Sequence, residues 1–384
     1  MSKSNWTRRN FLGTTAKAAG GLSVLKGSGL AFAGPNPGQK IRWGIIGIGN
    51  RARHHITALN QVESCEITAL CDIVPEHLQN GVEQVKGPEP KTFLNYLDLL
   101  AQPDVDAVAI VTPNYLHKEM TIESLKSNKH VLCEKPMGLS MAECDEVVAV
   151  AKGSEPVLQY GMQLRHTPTY VKVNELVQGG SIGNIRYAWI SDFRQDIRQL
   201  YEDPVIERTR NWRYFQDTTG GMLLEYSIHR LDLINWWMNA KPVMLSAFGG
   251  HNVWMDRKTI DHAGLLLEYA NGAKATYGMS LYCRGYGAPW LIMGDAGQML
   301  VGGGRVTIQR GDVSNSLAAP EIKDSEEVVE LPQGGDGTRI QYEHFVRAVH
   351  GDALPYPDWR IAYNAMWVGV QGEEAIRQHK VFRL

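Results

Sequence analysis

The sequence predicts an α/β chain in two parts: a parallel sheet covered by helices, then an α+β half built on an open, mainly antiparallel sheet. Three observations carry this. From Lys40 to about residue 160, short apolar runs alternate with helix-length amphipathic stretches, the rhythm of a parallel sheet covered on both faces. Beyond residue 160 the runs lengthen and turn β-rich, with Asn271-Gly272 as a hairpin turn. Between the first run and the first helical stretch lies a glycine-rich turn, Gly47-Ile48-Gly49-Asn50-Arg51-Ala52.

In the first part the runs are residues 41–47, 66–72, 106–111, 130–133 and 156–160, and the helical stretches are 52–60, 75–85, 117–127 and 141–152. In the second part strands are expected within 185–195, 244–254 and 262–283, and Gly294-Asp295 and Gly302-Gly303-Gly304 punctuate further ones. A helix near 221–237 should pack on one face of that sheet, and the chain returns to helix at 339–349 and 360–378. The domain limits read as 40–160 and 161–384, with the last helices free to pack back on the first domain.

The 384 residues suffice for two cores, and 43% hydrophobic with 21% charged residues is an ordinary globular balance. Net charge is −2 with both signs interspersed, so no basic stripe marks a nucleic-acid partner. No apolar run reaches the roughly 18–20 residues of a membrane span, so no membrane insertion is expected once the leader is removed. Residues 1–33 read as that leader. Thr7-Arg8-Arg9-Asn10-Phe11-Leu12 resembles the twin-arginine (Tat) export consensus, an apolar stretch follows, and Ala31-Phe32-Ala33 offers small residues for cleavage. Pro35-Asn36-Pro37-Gly38 makes 34–39 a linker. A disordered arm is the alternative; export implies a periplasmic protein. The five cysteines (65, 71, 133, 144 and 283) show no paired or metal-like spacing, and no metal site is expected. Twin-arginine export carries folded proteins, so unpaired, buried thiols formed in the reducing cytosol would fit it.

G-x-G-x-x-A between a strand and a helix is a dinucleotide-binding turn. Gly47 permits the tight turn, Gly49 lets backbone approach a pyrophosphate, and Ala52 lets helix and sheet pack closely. With Asn50 and Arg51 they form the expected Rossmann phosphate site at a helix start. Asp72, ending the second run, would accept hydrogen bonds from an adenosine ribose and repel a 2′-phosphate. No arginine follows in Ile73-Val74, so NAD is favoured over NADP; a turn residue before Pro75 is the bland alternative. Cys133-Glu134-Lys135-Pro136 follows the run 130–133 at the carboxyl edge, where open α/β sheets bind ligands, and Lys135 could meet the nicotinamide end.

On these residues the chain resembles the Gfo/Idh/MocA family of oxidoreductases over nearly all of its length beyond the leader. The turn, Asp72, Thr112-Pro113-Asn114 with His117, and Glu134-Lys135-Pro136 fall where that family holds its cofactor. Arg165, Pro168 and Ser181-Ile182-Gly183 look like its entry to the second domain. Gly220-Gly221-Met222-Leu223-Leu224-Glu225-Tyr226-Ser227-Ile228-His229 is similar to its second signature, with Glu225 where the family usually has Asp.

Read physically, Glu225, His229 and Asp232 stand at i, i+4 and i+7, on one face of a regular helix. His229, with an ordinary pKa near 6.5, could take a hydroxyl proton, with Glu225 orienting it and holding that pKa up. Lys135 could hold the substrate oxygen. Arg165, Trp212 and Asp232 are expected at the substrate, and Trp189, Tyr214 and Trp290 add aromatic surface that suits sugars. Three functions stay open: an exported oxidoreductase acting on a secondary alcohol of a sugar, polyol or glycoside with tightly bound cofactor; a glycosidase using NAD for transient oxidation; and a nucleotide-binding regulator without chemistry. A homo-oligomer through the C-terminal sheet is expected, with a small sugar or sugar derivative as substrate.

Overall fold

The computed structural model describes residues 39–195, 211–255, 258–283, 289–311, 326–335 and 337–383. The twin-arginine stretch and its cleavage site lie outside the described residues. Residues 34–384 cluster as one compact unit.

The first half runs β1 (Ile41–Ile46), α1 (Ala52–Leu59), β2 (Cys65–Cys71), α2 (Pro75–Val82), β3 (Lys91–Phe93), α3 (Tyr96–Leu100), β4 (Ala107–Ile110), α4 (His117–Lys126), β5 (His130–Cys133), α5 (Met141–Ala151) and β6 (Leu158–Tyr160). The strands pair in the order β3-β2-β1-β4-β5-β6, all in parallel. β4 and β5 are buried along their whole length, which is why they read as unbroken apolar runs. The sequence gives no strand signal for β3, three residues of mostly exposed side chain, nor a helix signal for α3. The strand order reverses between β1 and β4, the place at whose carboxyl edge open α/β sheets form their ligand crevice.

The second half runs α6 (Pro168–Gln178), β7 (Ile185–Phe193), α7 (Gln216–Thr219), a π-helical turn (Leu223–Ser227), α8 (Ile228–Met238), β8 (Pro242–Gly250), β9 (His262–Tyr269), β10 (Lys274–Ser280), β11 (Trp290–Gly294), β12 (Gly297–Gly302), β13 (Arg305–Arg310), β14 (Glu326–Glu330), α9 (Thr338–Val349), α10 (Trp359–Gln378) and β15 (Phe382–Arg383). Nine strands form an open sheet in the order β14-β13-β12-β11-β7-β10-β9-β8-β15, antiparallel except for the β7–β10 pair. One face, with Ile190, Leu265, Tyr277, Ile292 and Ile308, packs on α6, α8 and α10. On the other face Ser246, Leu266, Thr276, Trp189, Leu291, Leu300, Thr307 and Val328 stand in one cross-strand row. Leu266, Leu300 and Val328 of that row are exposed, as is Trp189 at 39%.

The last helices return to the first core. Tyr342 and Phe345 of α9 place their rings 4.9 Å from Trp43 of β1, and Ala362, Ala365 and Met366 of α10 pack with β5 and α5. No described helix is long and apolar enough to cross a membrane. Among the described residues no group of three His, Cys, Asp or Glu side chains is placed to hold a metal ion.

Candidate active site

The glycine turn sits at the strand-order reversal. Gly47 has φ +90°, and a side chain there would meet the Val111 carbonyl at 2.8 Å and the Thr112 amide at 2.9 Å, so only glycine fits. No atom lies within 4 Å of where a Gly49 side chain would begin, which leaves the backbone open to a phosphate. Exposed Asn50 edges that opening, and Ala52 is fully buried against the sheet. Asp72 accepts from the amides of Ile48 (2.7 Å) and Val74 (2.8 Å). A carboxylate has about four lone-pair sites, so beyond these amides, and with the His77 ring (Nδ1) 3.4 Å from Oδ2, Asp72 keeps capacity for a ribose hydroxyl. The open glycine turn and Asp72 fit a dinucleotide.

Other residues expected at the cofactor turn into protein instead. The Arg51 guanidinium pairs with Glu134 (Nε–Oε1 2.7 Å) and donates to Thr338 Oγ1 at 3.0 Å. Glu134 Oε1 also meets His55 Nε2 at 2.9 Å, and His55 Nδ1 lies 2.7 Å from the Tyr342 hydroxyl. Burial opposes the Glu134 charge, but Arg51 and His55 outweigh it and hold the carboxyl well below its usual range. The two side chains thus brace the Glu-Lys-Pro turn against the nucleotide turn and α9. His117 sets Nδ1 2.7 Å from the Pro136 carbonyl and Nε2 2.9 Å from that of Thr112, fastening the Thr112-Pro113-Asn114 loop to the same turn. The Lys135–Pro136 peptide is cis.

Lys135 Nζ donates to the Glu225 carbonyl (2.7 Å) and to Glu225 Oε2 (3.1 Å). Arg213 Nε donates to Glu225 Oε1 at 2.7 Å, and Arg213 stacks 4.6 Å from the Trp212 ring centroid. Asn114, expected at the cofactor, donates to Glu225 Oε2 (3.1 Å) and to the Thr219 carbonyl (3.0 Å). Burial works against charge on Glu225, yet Lys135 and Arg213 prevail and bring its carboxyl down to about 2.

The expected carboxylate–histidine–carboxylate face is not formed. Glu225, inside the π turn, spends its carboxylate on Lys135, Arg213 and Asn114 and makes no hydrogen bond to His229 Nδ1. His229 Nδ1 is buried without a hydrogen-bond partner, although its ring is partly exposed. Burial, reinforced by the Lys135 charge, carries its pKa down to about 3 rather than holding it near 6.5. Asp232 is 1% exposed and makes a two-pronged pair with Arg165 (2.7 and 2.8 Å), which also lies 5.0 Å from the Trp236 ring centroid. Two residues expected at the substrate therefore neutralise each other inside the second domain. Trp212 reaches the site through Arg213.

Arg213, His55 and Tyr342 carry no signal in the sequence. Each matters through a partner tens to hundreds of positions away, except Arg213, which only its place beside Trp212 could have suggested.

Residues 41–162 match the model of the Gfo/Idh/MocA oxidoreductases, described as an oxidoreductase family with an NAD-binding Rossmann fold. Residues 170–300 match that family's C-terminal domain. The chain belongs to the Gfo/Idh/MocA family. Among curated relatives it is 28% identical to an uncharacterized oxidoreductase, YrbE, of Bacillus subtilis (strain 168) over 240 residues, 62% of this chain and 66% of that one. It is also 28% identical to a glycosyl hydrolase family 109 protein of Shewanella baltica (strain OS185) over 304 residues, 70% of this chain and 65% of that one. The matched stretch thus spans just under two thirds of either relative. Among solved structures, aldose-aldose oxidoreductase from Caulobacter crescentus, complexed with glycerol, superposes with a TM-score of 0.74 at 22% identity, covering 90% of this chain and 100% of that one.

Proposed function

We propose that this Gfo/Idh/MocA protein is an NAD-dependent oxidoreductase acting on a secondary alcohol of a sugar, polyol or glycoside. The observation that carries the reading is the state of Lys135. An ammonium has three N–H donors, and two are taken by Glu225, which leaves one to meet a substrate oxygen beside the nicotinamide half of the crevice. NAD supplies the hydride acceptor. Oxidation of the alcohol releases one proton from the hydroxyl. Lys135 stabilises the negative charge that develops on that oxygen, and His229, an uncharged imidazole, is the proposed proton acceptor, with its burial and the Lys135 charge opposing the imidazolium that it would form. Glu225 holds Lys135 in place through both its carbonyl and its carboxylate.

Lys135→Ala and His229→Ala should each lower kcat by about 10²–10⁴. Nucleotide binding should survive in the histidine variant, and wild-type turnover by either variant would remove that residue from the chemistry. The substrate is found by a panel of sugars, polyols and aryl glycosides with product identification. Release of aglycone without net NADH would select the second reading, a glycosidase using transient oxidation. The likeness to a glycosyl hydrolase family 109 protein favours testing it.

We also propose that the protein is exported folded, through the Arg8-Arg9 leader, with its cofactor aboard. The free, buried thiols of Cys65, Cys71, Cys133 and Cys144 support folding in a reducing compartment. A periplasm without an NAD pool demands slow release: a dissociation rate of about 10⁻⁴ s⁻¹ with association near 10⁶ M⁻¹s⁻¹ gives a Kd of about 10⁻¹⁰ M. Changing Arg8 and Arg9 together to Lys should strand the protein in the cytoplasm with residues 1–33 attached. Periplasmic wild type, heat-denatured, should release NAD(H). An empty protein, or normal export of the double variant, sinks this proposal.

A further inference from the structure

The π turn that carries Glu225 rests on a seat made by α10. A side chain at Gly369 would meet Leu224 Cδ2 at 2.6 Å, and one at Gly372 would meet Leu223 Cδ1 at 2.6 Å, so the two glycines receive those leucines. The next residue, Glu373, turns its carboxylate under the glycine pair that opens the signature. Its Oε1 accepts from the Leu223 amide at 2.8 Å, with the Met222 amide and the Gln216 side chain as further donors. Among the described residues it meets no cation. Gly221, with φ +111°, has the Glu373 carboxylate in the space a side chain would need. The amides at the start of a helical segment have no partner within it, so a carboxylate from another helix can fix where that segment begins.

We propose that Glu373, seated with Gly369 and Gly372 beneath Gly221, is a positioning residue that sets the register of the π turn and so aims Glu225 at Lys135 while leaving the His229 ring to the crevice. The proposal rests on the reading of Lys135 and His229 as the reacting groups. A shift of one residue at the turn's start would rotate Glu225 by about 100° around the helix, away from Lys135.

The test uses the full chain with Glu373→Ala, Glu373→Asp and Glu373→Gln. Three quantities are read: amide hydrogen exchange over residues 220–230, the rate at which pyridoxal 5′-phosphate with borohydride labels Lys135, and kcat against KM on the sugar the panel identifies. Glu373→Ala, which loses the acceptor, should raise exchange at Met222 and Leu223 about tenfold. It should also speed Lys135 labelling several-fold and lower kcat about tenfold with KM unchanged. Glu373→Asp keeps the carboxyl but withdraws it by one methylene, and should behave likewise if the alanine variant fails to fold. Glu373→Gln keeps an acceptor in place and should stay within about threefold of wild type on all readouts. Unchanged exchange in the Ala and Asp variants, or raised exchange with Lys135 labelling and kcat as in wild type, overturns the proposal. If no sugar is turned over, the functional reading fails, and exchange with labelling still decides the role of Glu373.

Discussion

Two buried carboxylates, Glu225 in the π turn and Glu373 on α10, respond to pH in opposite senses. Glu225 is held down to about 2 despite burial, because Lys135 and Arg213 favour its charged form. Its folded pKa lies below the unfolded value, so its stabilisation is present above about pH 4.5 and is lost as pH falls towards 2. Glu373 is pushed up to about 7, since burial outweighs its amide and Gln216 contacts and no charge compensates it. Its folded pKa lies above the unfolded value, so stability is fullest below about pH 4.5 and declines as pH rises through 7. Denaturant titrations across pH should show Glu225→Gln flattening the acid limb and Glu373→Gln flattening the neutral one. An unaltered profile in either variant would show that its carboxylate does not titrate as described. His229 belongs to the same logic: the sequence supplies its unperturbed value, and only the packing around it reveals a base already neutral far below physiological pH.

At the level of elements, the strands and helices whose pattern is set by burial were readable, and those set by partners were not. β1, β2, β4 and β5 are buried runs flanked by helices, and the glycine turn between β1 and α1 carries its own chemistry, so both stand out in the chain. β3 exists because β2 offers it an edge, not because Lys91-Thr92-Phe93 has a strand pattern. The π turn is invisible for a similar reason: its extra residue is accommodated by Gly369 and Gly372 of α10, some 150 positions on. Reading the signature as regular helix put Glu225, His229 and Asp232 together, but Lys135 and Arg213 claim the first carboxylate and Arg165 the second, and those partners lie far off in the sequence or carry no pattern of their own. α9 is the element whose loss should be felt furthest from its place in sequence. Phe345 is fully buried against Trp43, so Phe345→Ala should cost about 3–5 kcal/mol. Thermal melting would measure it; a loss under 1 kcal/mol would show that α9 is not part of the first core.

For the molecule as a whole, the face of the nine-stranded sheet on which Leu266, Trp189, Leu300 and Val328 are exposed is the feature that calls for a partner. A second copy is the proposed occupant. The row from Leu266 through Trp189 to Leu300 and Val328 holds apolar and hydroxyl side chains without a charge, spans seven strands and is continuous in register, so it can meet its own copy about a two-fold axis. Trp189→Glu with Leu300→Glu should shift the protein from oligomer to monomer by light scattering while leaving the melting of the monomer within about 1 kcal/mol, as surface changes do. A wild type that is already monomeric at micromolar concentration would dismiss this interface.

The aromatic contact between Trp43 and α9 has a consequence for how the protein is made. About three hundred residues separate the two halves of that contact, and a ribosome adding about 5–20 residues per second needs roughly 15–60 s to cover them. Throughout that interval the nascent nucleotide domain presents a cleft where Tyr342 and Phe345 will lie, and the brace from Tyr342 through His55 to Glu134 is unbuilt. The cofactor turn and the lysine turn can settle into their final relation only after nearly the whole polypeptide has emerged. Nucleotide loading should thereby come late in synthesis, and a chain cut short before α9 should hold NAD more weakly than the full one.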